Sequence, residues 1–143
     1  MFSSSKNIVL AGLCAFVLGG CAALSSCGDT EGGVRLFRTP TEFMVNSGIR
    51  YYEDGNYPAA QSTLQNLVAQ KDATRGEKIL GYKYLAFVHC ISRTESREVR
   101  EKMCRDSFKK AFELDSDFNL SSAEAGHPVW GPIFSSVKNT RKK

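Results

Sequence analysis

Small and apolar residues recur at helical spacing from about residue 40 onward. Thr39-Pro40-Thr41-Glu42 is a helix-start signal, because threonine can cap a helix and proline is tolerated at an early helical position. The face that follows contains Phe43, Met44, Ser47, Gly48 and Tyr51. Residues 52–57 interrupt the pattern, and a second face then contains Ala59, Ala60, Leu64, Leu67 and Val68. This pattern predicts two short antiparallel helices joined by a glycine-containing turn.

The first twenty residues have a different pattern, in which Lys6 precedes an apolar run over residues 8–18. This run is too short for a permanent membrane-spanning helix and is typical of a secretory signal. It ends in Leu18-Gly19-Gly20-Cys21, which resembles a bacterial lipobox. The resemblance implies that the signal is removed and that Cys21 carries lipid. A plain secretory signal or a buried hydrophobic helix is the alternative.

The residue after Cys21 bears on the membrane to which the lipid would attach. It is Ala22 rather than aspartate, and by resemblance to lipoprotein sorting rules this implies the inner leaflet of the outer membrane, facing the periplasm. Each buried methylene of an acyl chain contributes about 0.8 kcal/mol, so a multiply acylated cysteine is a firm anchor.

Composition and pattern divide the chain into four segments. Residues 1–20 are the predicted signal peptide, 21–39 a flexible tether that begins at Cys21, 40–139 a helical domain, and 140–143 a basic tail. About one hundred residues are enough for one domain with a modest core. A net charge of +4 is too small to indicate nucleic-acid binding. The tail is either solvated or in contact with anionic headgroups or an acidic partner.

The five cysteines of the chain fall into different segments. Cys14 lies in the predicted signal, Cys21 at the lipidation site and Cys27 in the tether. Cys90 and Cys104 lie in the domain, and an oxidising periplasm favours a disulfide between them. Two separate buried thiols are the alternative, and we expect Cys27 to be left over.

The first predicted helix pair resembles a tetratricopeptide repeat, whose period is about 34 residues. The matching residues, in order and spacing, are Gly48, Tyr51, the turn Gly55-Asn56-Tyr57, Ala60 and Leu64. The resemblance implies that Gly48 and Ala60 are small because the helices approach closely there. It also implies that Tyr51 and Leu64 fill the space beside them.

A second repeat-like unit follows, with Tyr82, Leu85 and Ala86 on its first helix and Cys104, Phe108 and Ala111 on its second. It departs from the repeat in its longer polar turn, Ser92 to Glu101, and in Cys104, which stands where alanine is usual. A disulfide to Cys90 would clamp that turn.

A C-terminal segment is expected to cap the stack, because two repeats rarely suffice alone. Phe118 and Leu120 precede residues 127–134, which lead into a short helix ending near Asn139. Trp130 either closes the core or offers an exposed anchor to a partner. The predicted fold is therefore all-α, with about two tetratricopeptide-like helix pairs and a C-terminal capping helix.

The combination of lipobox, tether, repeat-like helices with two cysteines and the closing segment at residues 123–132 resembles a known family. It is similar to the small lipoproteins associated with type VI secretion systems, the TssQ-type family. The resemblance implies an accessory factor at the outer membrane that places or stabilises the secretion machine, without catalytic residues.

Candidate chemistry in the sequence is sparse. The two histidines, His89 and His127, are about forty residues apart, and no metal-binding or phosphate-loop spacing accompanies them. His89 stands where the repeat usually has tyrosine, so we expect it to pack with one ring nitrogen satisfied. Cys90 beside it does not face it, because adjacent helical residues point apart. We expect no enzyme activity, metal or cofactor.

The predicted function is therefore protein binding in the cell envelope. The concave face formed by the first helices of the repeats would hold a partner's peptide or helix through Arg50, Tyr52 and Lys83, with Trp130 as a further candidate. A role in another machine, as a secretin pilot or in outer-membrane barrel assembly, is the first alternative, although such proteins generally have longer arrays. A structural peptidoglycan-associated lipoprotein is the second, but no wall-binding motif supports it.

Overall fold

The structure, a computed structural model, describes residues 39–141, which belong to one unit, Arg35–Lys143. Its helices are α1 (Pro40–Glu53), α2 (Tyr57–Ala69), α3 (Arg75–Ile91), α4 (Arg97–Leu114), α5 (Ser122–Ala125) and α6 (Gly131–Thr140). No strand occurs among residues 39–141, so the predicted all-α class is confirmed. The signal peptide, Cys21, Cys27 and the tether to residue 38, as well as Lys142 and Lys143, lie outside the described residues.

Side-chain caps explain where helices α1 to α5 begin. The Thr39 hydroxyl accepts a hydrogen bond from the Glu42 N–H (3.1 Å), with Pro40 in the first turn of α1. Asn56 caps α2 in the same way. Thr74 with Glu77 and Ser121 with Glu124 form reciprocal capping boxes at α3 and α5. Hydrophobic spacing leaves the first residue of a helix uncertain by one or two positions. These short polar signals fix it.

The second polar turn is shorter than the sequence predicts. The sequence predicts a turn from Ser92 to Glu101, but α4 already begins at Arg97. The reason is Ser96, whose hydroxyl accepts a hydrogen bond from the Val99 N–H and so starts the helix within the polar run. The charged residues that follow form the solvated side of the first turns of α4.

The first helix pair packs closely at one point. A Cβ placed on Gly48 of α1 would lie 2.5 Å from Cδ2 of Leu64 on α2, so the two helices touch where a larger residue has no room. Ala60 and Leu64 are fully buried on α2. The core between α1, α2 and α3 consists of Val45, Ala60, Leu64, Leu67, Ala73, Leu85 and Val88.

A second core lies on the other side of α3 and closes the C-terminal end. Its buried members are Ala86, Phe87, Cys90, Cys104, Phe108, Ala111, Phe112, Phe118, Leu120, Trp130, Phe134 and Val137. The ring of Phe134 on α6 lies 5.3 Å from Phe108 and 5.6 Å from Phe112, both on α4. Helix α6 therefore caps α4, and it starts at Gly131 and ends at Thr140, close to the end expected near Asn139.

One residue that the repeat pattern assigns to packing lies elsewhere. Gly48, Ala60, Leu64, Ala86, Phe108 and Ala111 are buried, whereas Tyr51 is 39% exposed. The neighbouring Tyr52 instead packs against both cores. Because adjacent helical positions differ by about 100° around the axis, the face of α1 that meets α3 includes Tyr52 and leaves Tyr51 at the surface.

Candidate functional site

The four predicted partner-binding residues do not form one open surface. Arg50 is exposed on α1, where its Nε lies 3.8 Å from Oδ2 of Asp54. Tyr52, Lys83 and Trp130 surround the same aromatic cluster inside the fold. The expectation of an open concave binding face is therefore corrected. Around Lys83 the chain's own C-terminal segment covers that face.

Lys83 is held by an ion pair with that segment. Its Nζ donates to Oε1 of Glu124 at 2.8 Å, and the two side chains are 15% and 26% exposed. Burial would raise the pKa of Glu124, but the hydrogen bonds from Lys83 and Ser121 outweigh it and leave that pKa below its ordinary value. The carboxylate of Glu124 therefore pairs with Lys83 on α3 and also caps the start of α5.

Trp130 closes the core and offers little surface to a partner, since it is 6% exposed. Its ring stacks on Phe87 at 4.4 Å between centroids, and the ring of His127 stacks on it at 3.3 Å. The indole Nε1 donates to the carbonyl oxygen of Glu124 at 2.8 Å. The sequence leaves two roles open for Trp130. The structure places it in core closure, and the alternative of an exposed anchor is not what the structure shows.

Tyr52 is likewise occupied by internal contacts. Its ring lies 5.3 Å from Tyr84, 5.9 Å from Tyr57 and 6.0 Å from Phe87. Burial, with smaller contributions from Tyr57, Tyr84 and Glu124, raises the pKa of its hydroxyl. This side chain therefore stays neutral at physiological pH and joins α1 to α3.

Cys90 on α3 and Cys104 on α4 form a disulfide, with their Cα atoms 5.1 Å apart. This is the cysteine pair that the sequence favours. His89 and Met103 directly precede Cys90 and Cys104 in the chain, and His89 also contacts Ser107 of α4 through a hydrogen bond. The disulfide ties the two helices together at the end where the turn 92–96 connects them.

The Ser107 hydroxyl lies between two groups of the neighbouring helices. It donates to the carbonyl oxygen of Met103 at 2.9 Å, and its oxygen lies 3.0 Å from Nδ1 of His89. Among the described residues Nε2 has no hydrogen-bond partner, although His89 is only 8% exposed. Burial lowers the pKa of this imidazole, so it is neutral at physiological pH.

Two adjoining depressions lie at this end of the molecule. A small cavity of about 100 Å³ is lined by Gln61, His89, Ser92, Thr94, Glu95, Arg100 and Met103. A larger cleft of about 410 Å³ is lined by Tyr57, Pro58, Gln61, Val88, Ile91, Ser92, Arg93 and Thr94. The two linings have Gln61, Ser92 and Thr94 in common. We call the two together the His89 cleft.

The sequence identified His89 as a packing residue with one satisfied nitrogen, which the bond to Ser107 confirms. It did not indicate Ser107, Glu124 or the His89 cleft as features of interest. A signal for Glu124 was present, because Ser121-x-x-Glu124 has capping-box spacing. No comparable local signal marks the cleft, which is formed by residues from α2, α3, α4 and a turn.

Within residues 39–141, no group of three or more histidine, cysteine, aspartate or glutamate residues is placed to hold a metal ion. In the same part of the chain no helix is long and apolar enough to cross a membrane. Comparisons with protein-family models, curated proteins and solved structures find no match to this chain.

Proposed function

We propose that this protein is a lipid-anchored scaffold of the bacterial cell envelope that holds a protein component of a type VI secretion system. The observation that carries the proposal is the lipobox at residues 18–21, placed before a tether and an all-helical body. The lipid would set the location, and the helices would supply the binding surface. The resemblance to the TssQ-type family supports the choice of machine.

The order of the helices supports a tetratricopeptide-like stack. Arg75 at the start of α3 donates to the Leu114 carbonyl at the end of α4, so these helices run antiparallel. Thr41 in the first turn of α1 donates to Glu77 in the first turn of α3 at 3.1 Å, so the first helices of the two pairs are aligned. Repeats of this class stack in that order.

The disulfide supports a location in the periplasm. Cys90 and Cys104 are bonded through the core, and disulfides persist in oxidising surroundings such as the periplasm. With Lys83 and Trp130 covered by internal contacts, Arg50 is the predicted partner-binding residue that remains at the surface. We therefore place the partner at the exposed side of α1.

The anchor is tested by replacing one cysteine at a time. Cys21→Ser should abolish acylation at this position, seen by mass spectrometry, and should remove the protein from the outer-membrane fraction. Cys27→Ser is the matched control and should leave both unchanged. An unmodified Cys21 in the wild-type chain would contradict the anchor.

The partner is tested by crosslinking in intact envelopes. A photoreactive residue at Arg50 should capture a secretion-system component, whereas the same residue at Lys109 on α4, also exposed, should not. Deletion of the gene should reduce secretion. Capture of a secretin or of barrel-assembly proteins at Arg50 would assign the scaffold to another machine and reject the type VI proposal.

A further inference from the structure

The larger cleft lies between the start of α2 and the end of α3. Tyr57 and Pro58 line it from the first turn of α2, and Val88 and Ile91, one turn apart, line it from α3. Its volume of about 410 Å³ is in the usual range for a small-molecule site. A mainly apolar lining of this size suits the hydrocarbon part of a small ligand.

Two polar side chains of this lining have no partner within the part of the chain that the structure describes. They are the guanidinium of Arg93, which makes no ion pair there, and the amide of Gln61, which makes no hydrogen bond there. Both carry N–H donors. Arg93 is the charged residue of the lining, since Glu95, two positions later, lines the smaller cavity instead. A few polar groups against an apolar lining are what orients a ligand in such a site.

We propose that the larger cleft binds a carboxylic acid with an apolar body, whose ring or acyl chain lies between α2 and α3 and whose carboxylate pairs with Arg93. A guanidinium matches a carboxylate in geometry as well as in charge, because its N–H groups can donate to both oxygens. The amide of Gln61 would supply a further donor. A neutral ligand of the same shape would leave Arg93 unpaired, and an ammonium group would be repelled by it.

The turn that carries Arg93 is held in place before any ligand arrives. The Ser92 N–H donates to the Val88 carbonyl at 3.0 Å, and the Ser92 hydroxyl lies 3.0 Å from the hydroxyl of Thr94. From α4, Nη1 of Arg100 donates to the Ser92 carbonyl at 3.1 Å. The two chain neighbours of Arg93 are thereby fixed, which reduces the cost of ordering this turn on binding.

The first test compares three small probes by NMR titration of the disulfide-bonded protein. 4-Phenylbutanoate should give saturable shifts at the methyl groups of Val88 and Ile91, but not at Val129, which lines a separate groove. 4-Phenylbutan-1-ol keeps the ring and the length but is neutral. It should bind about threefold more weakly, as expected for an ion pair near the surface, and 4-phenylbutylamine more weakly still. Equal affinity for the acid and the alcohol, or shifts at Val129 alone, would overturn the proposal.

Charge variants test the role of Arg93. Arg93→Gln changes an exposed residue and should abolish the preference for the acid over the alcohol. Lys109→Gln removes one charge from the exposed side of α4 and is the matched control, which should keep the preference. Added salt should weaken the preference in the wild-type protein, because it screens exposed charges. A preference that survives Arg93→Gln would contradict the pairing of the carboxylate with Arg93.

A filling variant tests the cleft itself. Gln61→Trp should occupy the cleft and abolish binding of the acid and the alcohol alike. Gln65→Trp is the matched control, because this exposed residue lies one turn further along α2 and outside the lining. Circular dichroism establishes that each variant is folded, and if Gln61→Trp is not, the exposed change Arg93→Gln carries the test. Unchanged binding in folded Gln61→Trp would reject the site.

A second arm distinguishes the sources of the carboxylate, which could belong to a free acid or to the last residue of a peptide. N-acetyl-phenylalanine carries the ring, the carboxylate and a peptide group. Tighter binding of this compound than of 4-phenylbutanoate would assign the site to a peptide end, and weaker binding would assign it to a free acid. The proposal is independent of the lipid anchor and of the secretion machine, because those are tested at Cys21 and Arg50 by different measurements.

Discussion

Nζ of Lys83 lies 2.8 Å from Oε1 of Glu124, a residue 41 positions later in the chain. The lysine was predicted to face a partner, and instead it holds the C-terminal segment against α3. The same carboxylate accepts from the Ser121 N–H and hydroxyl at the start of α5. One side chain therefore joins the closing segment to the helix stack and starts its first helical turn.

Removing one member of this pair should destabilise the protein. Glu124→Gln keeps a side chain that suits a capping box but leaves Lys83, whose side chain is largely buried, as a cation without a counter-charge. We expect a loss of about 1–3 kcal/mol in the free energy of unfolding, measured by urea denaturation. Lys83→Met in the same chain should recover part of that loss, because no unpaired charge remains.

The exposed ion pair between Arg97 and Glu101 is the control for this experiment. Its atoms are also 2.8 Å apart, but the Arg97 side chain is open to solvent. Glu101→Gln should therefore change stability little. If Glu101→Gln and Glu124→Gln lower the free energy of unfolding equally, burial is not the reason why the ion pair between Lys83 and Glu124 stabilises the protein.

Gly131 is predicted to tolerate no side chain. A Cβ at this position would collide with the backbone carbonyl oxygen of Ala125, which cannot move without displacing α5. Gly131→Ala should cost about 1–3 kcal/mol of stability, as overpacked positions do. Gly76→Ala in the first turn of α3 meets nothing within 4 Å and should be neutral or stabilising by up to about 1 kcal/mol.

The Trp130 fluorescence offers an independent check on Gly131, since this tryptophan is the chain's single one and lies next to it. Gly131→Ala should shift its emission toward that of a more exposed indole, and Gly76→Ala should not. Identical stabilities of the two alanine variants would contradict the close approach of α5 and α6.

The disulfide should contribute measurably to stability. Cys90 and Cys104 are separated by 14 positions, and a loop of about that size is worth about 3 kcal/mol when closed. Replacing both by alanine should lower the free energy of unfolding by that order, with Cys27→Ala as a control that changes nothing. Peptide mapping without reductant should link Cys90 to Cys104. Free thiols at both positions in protein from the periplasm would contradict the bond.

His89 should make stability depend on pH in the mildly acidic range. Burial lowers its pKa from the ordinary value of 6.5, so between the lowered pKa and pH 6.5 the unfolded chain binds a proton that the folded one does not. The stability is therefore fully present above pH 6.5 and is lost as the pH falls from there to the lowered pKa. Glu95 and Arg100 are the charged residues that line the small cavity beside His89.

The measurement is urea denaturation between pH 7.5 and the onset of carboxylate titration, a range we choose to bracket about one unit on each side of an unperturbed histidine. His89→Gln should flatten the slope in this range. Glu77 and Glu124 titrate below the ordinary carboxylate value of 4.5, because their pKa values are lowered. A slope that survives His89→Gln would assign the pH dependence to another group.

Local signals in the sequence predicted much of the helical framework. The Thr39-Pro40 start of α1, the break before Asn56 and the apolar faces of α1 and α2 all correspond to observed elements. Helix α5 was missed because four residues are too few for a periodic pattern. The early start of α4 was missed because its first turns are charged and only Ser96 marks them.

The candidate site was less predictable than the framework. Helical spacing indicates that a side chain belongs to a face, but it carries no information on which distant segment covers that face. The segment around Glu124 covers Lys83 and Trp130, and Ser107 of α4 contacts the buried ring of His89. These are contacts between residues far apart in the chain.

The sequence by itself determined the helical class, the helix starts at polar caps, the cysteine pair of the domain and the lipobox on which the proposed location rests. Each depends on residues a few positions apart or on the chemistry of one residue type. The tertiary structure alone decided that Tyr52 packs while Tyr51 is exposed, that Glu124 neutralises Lys83, and that a cleft opens at His89. The physical reason is that exposure, charge pairing and cavity shape depend on the packing of whole helices, which local spacing does not specify.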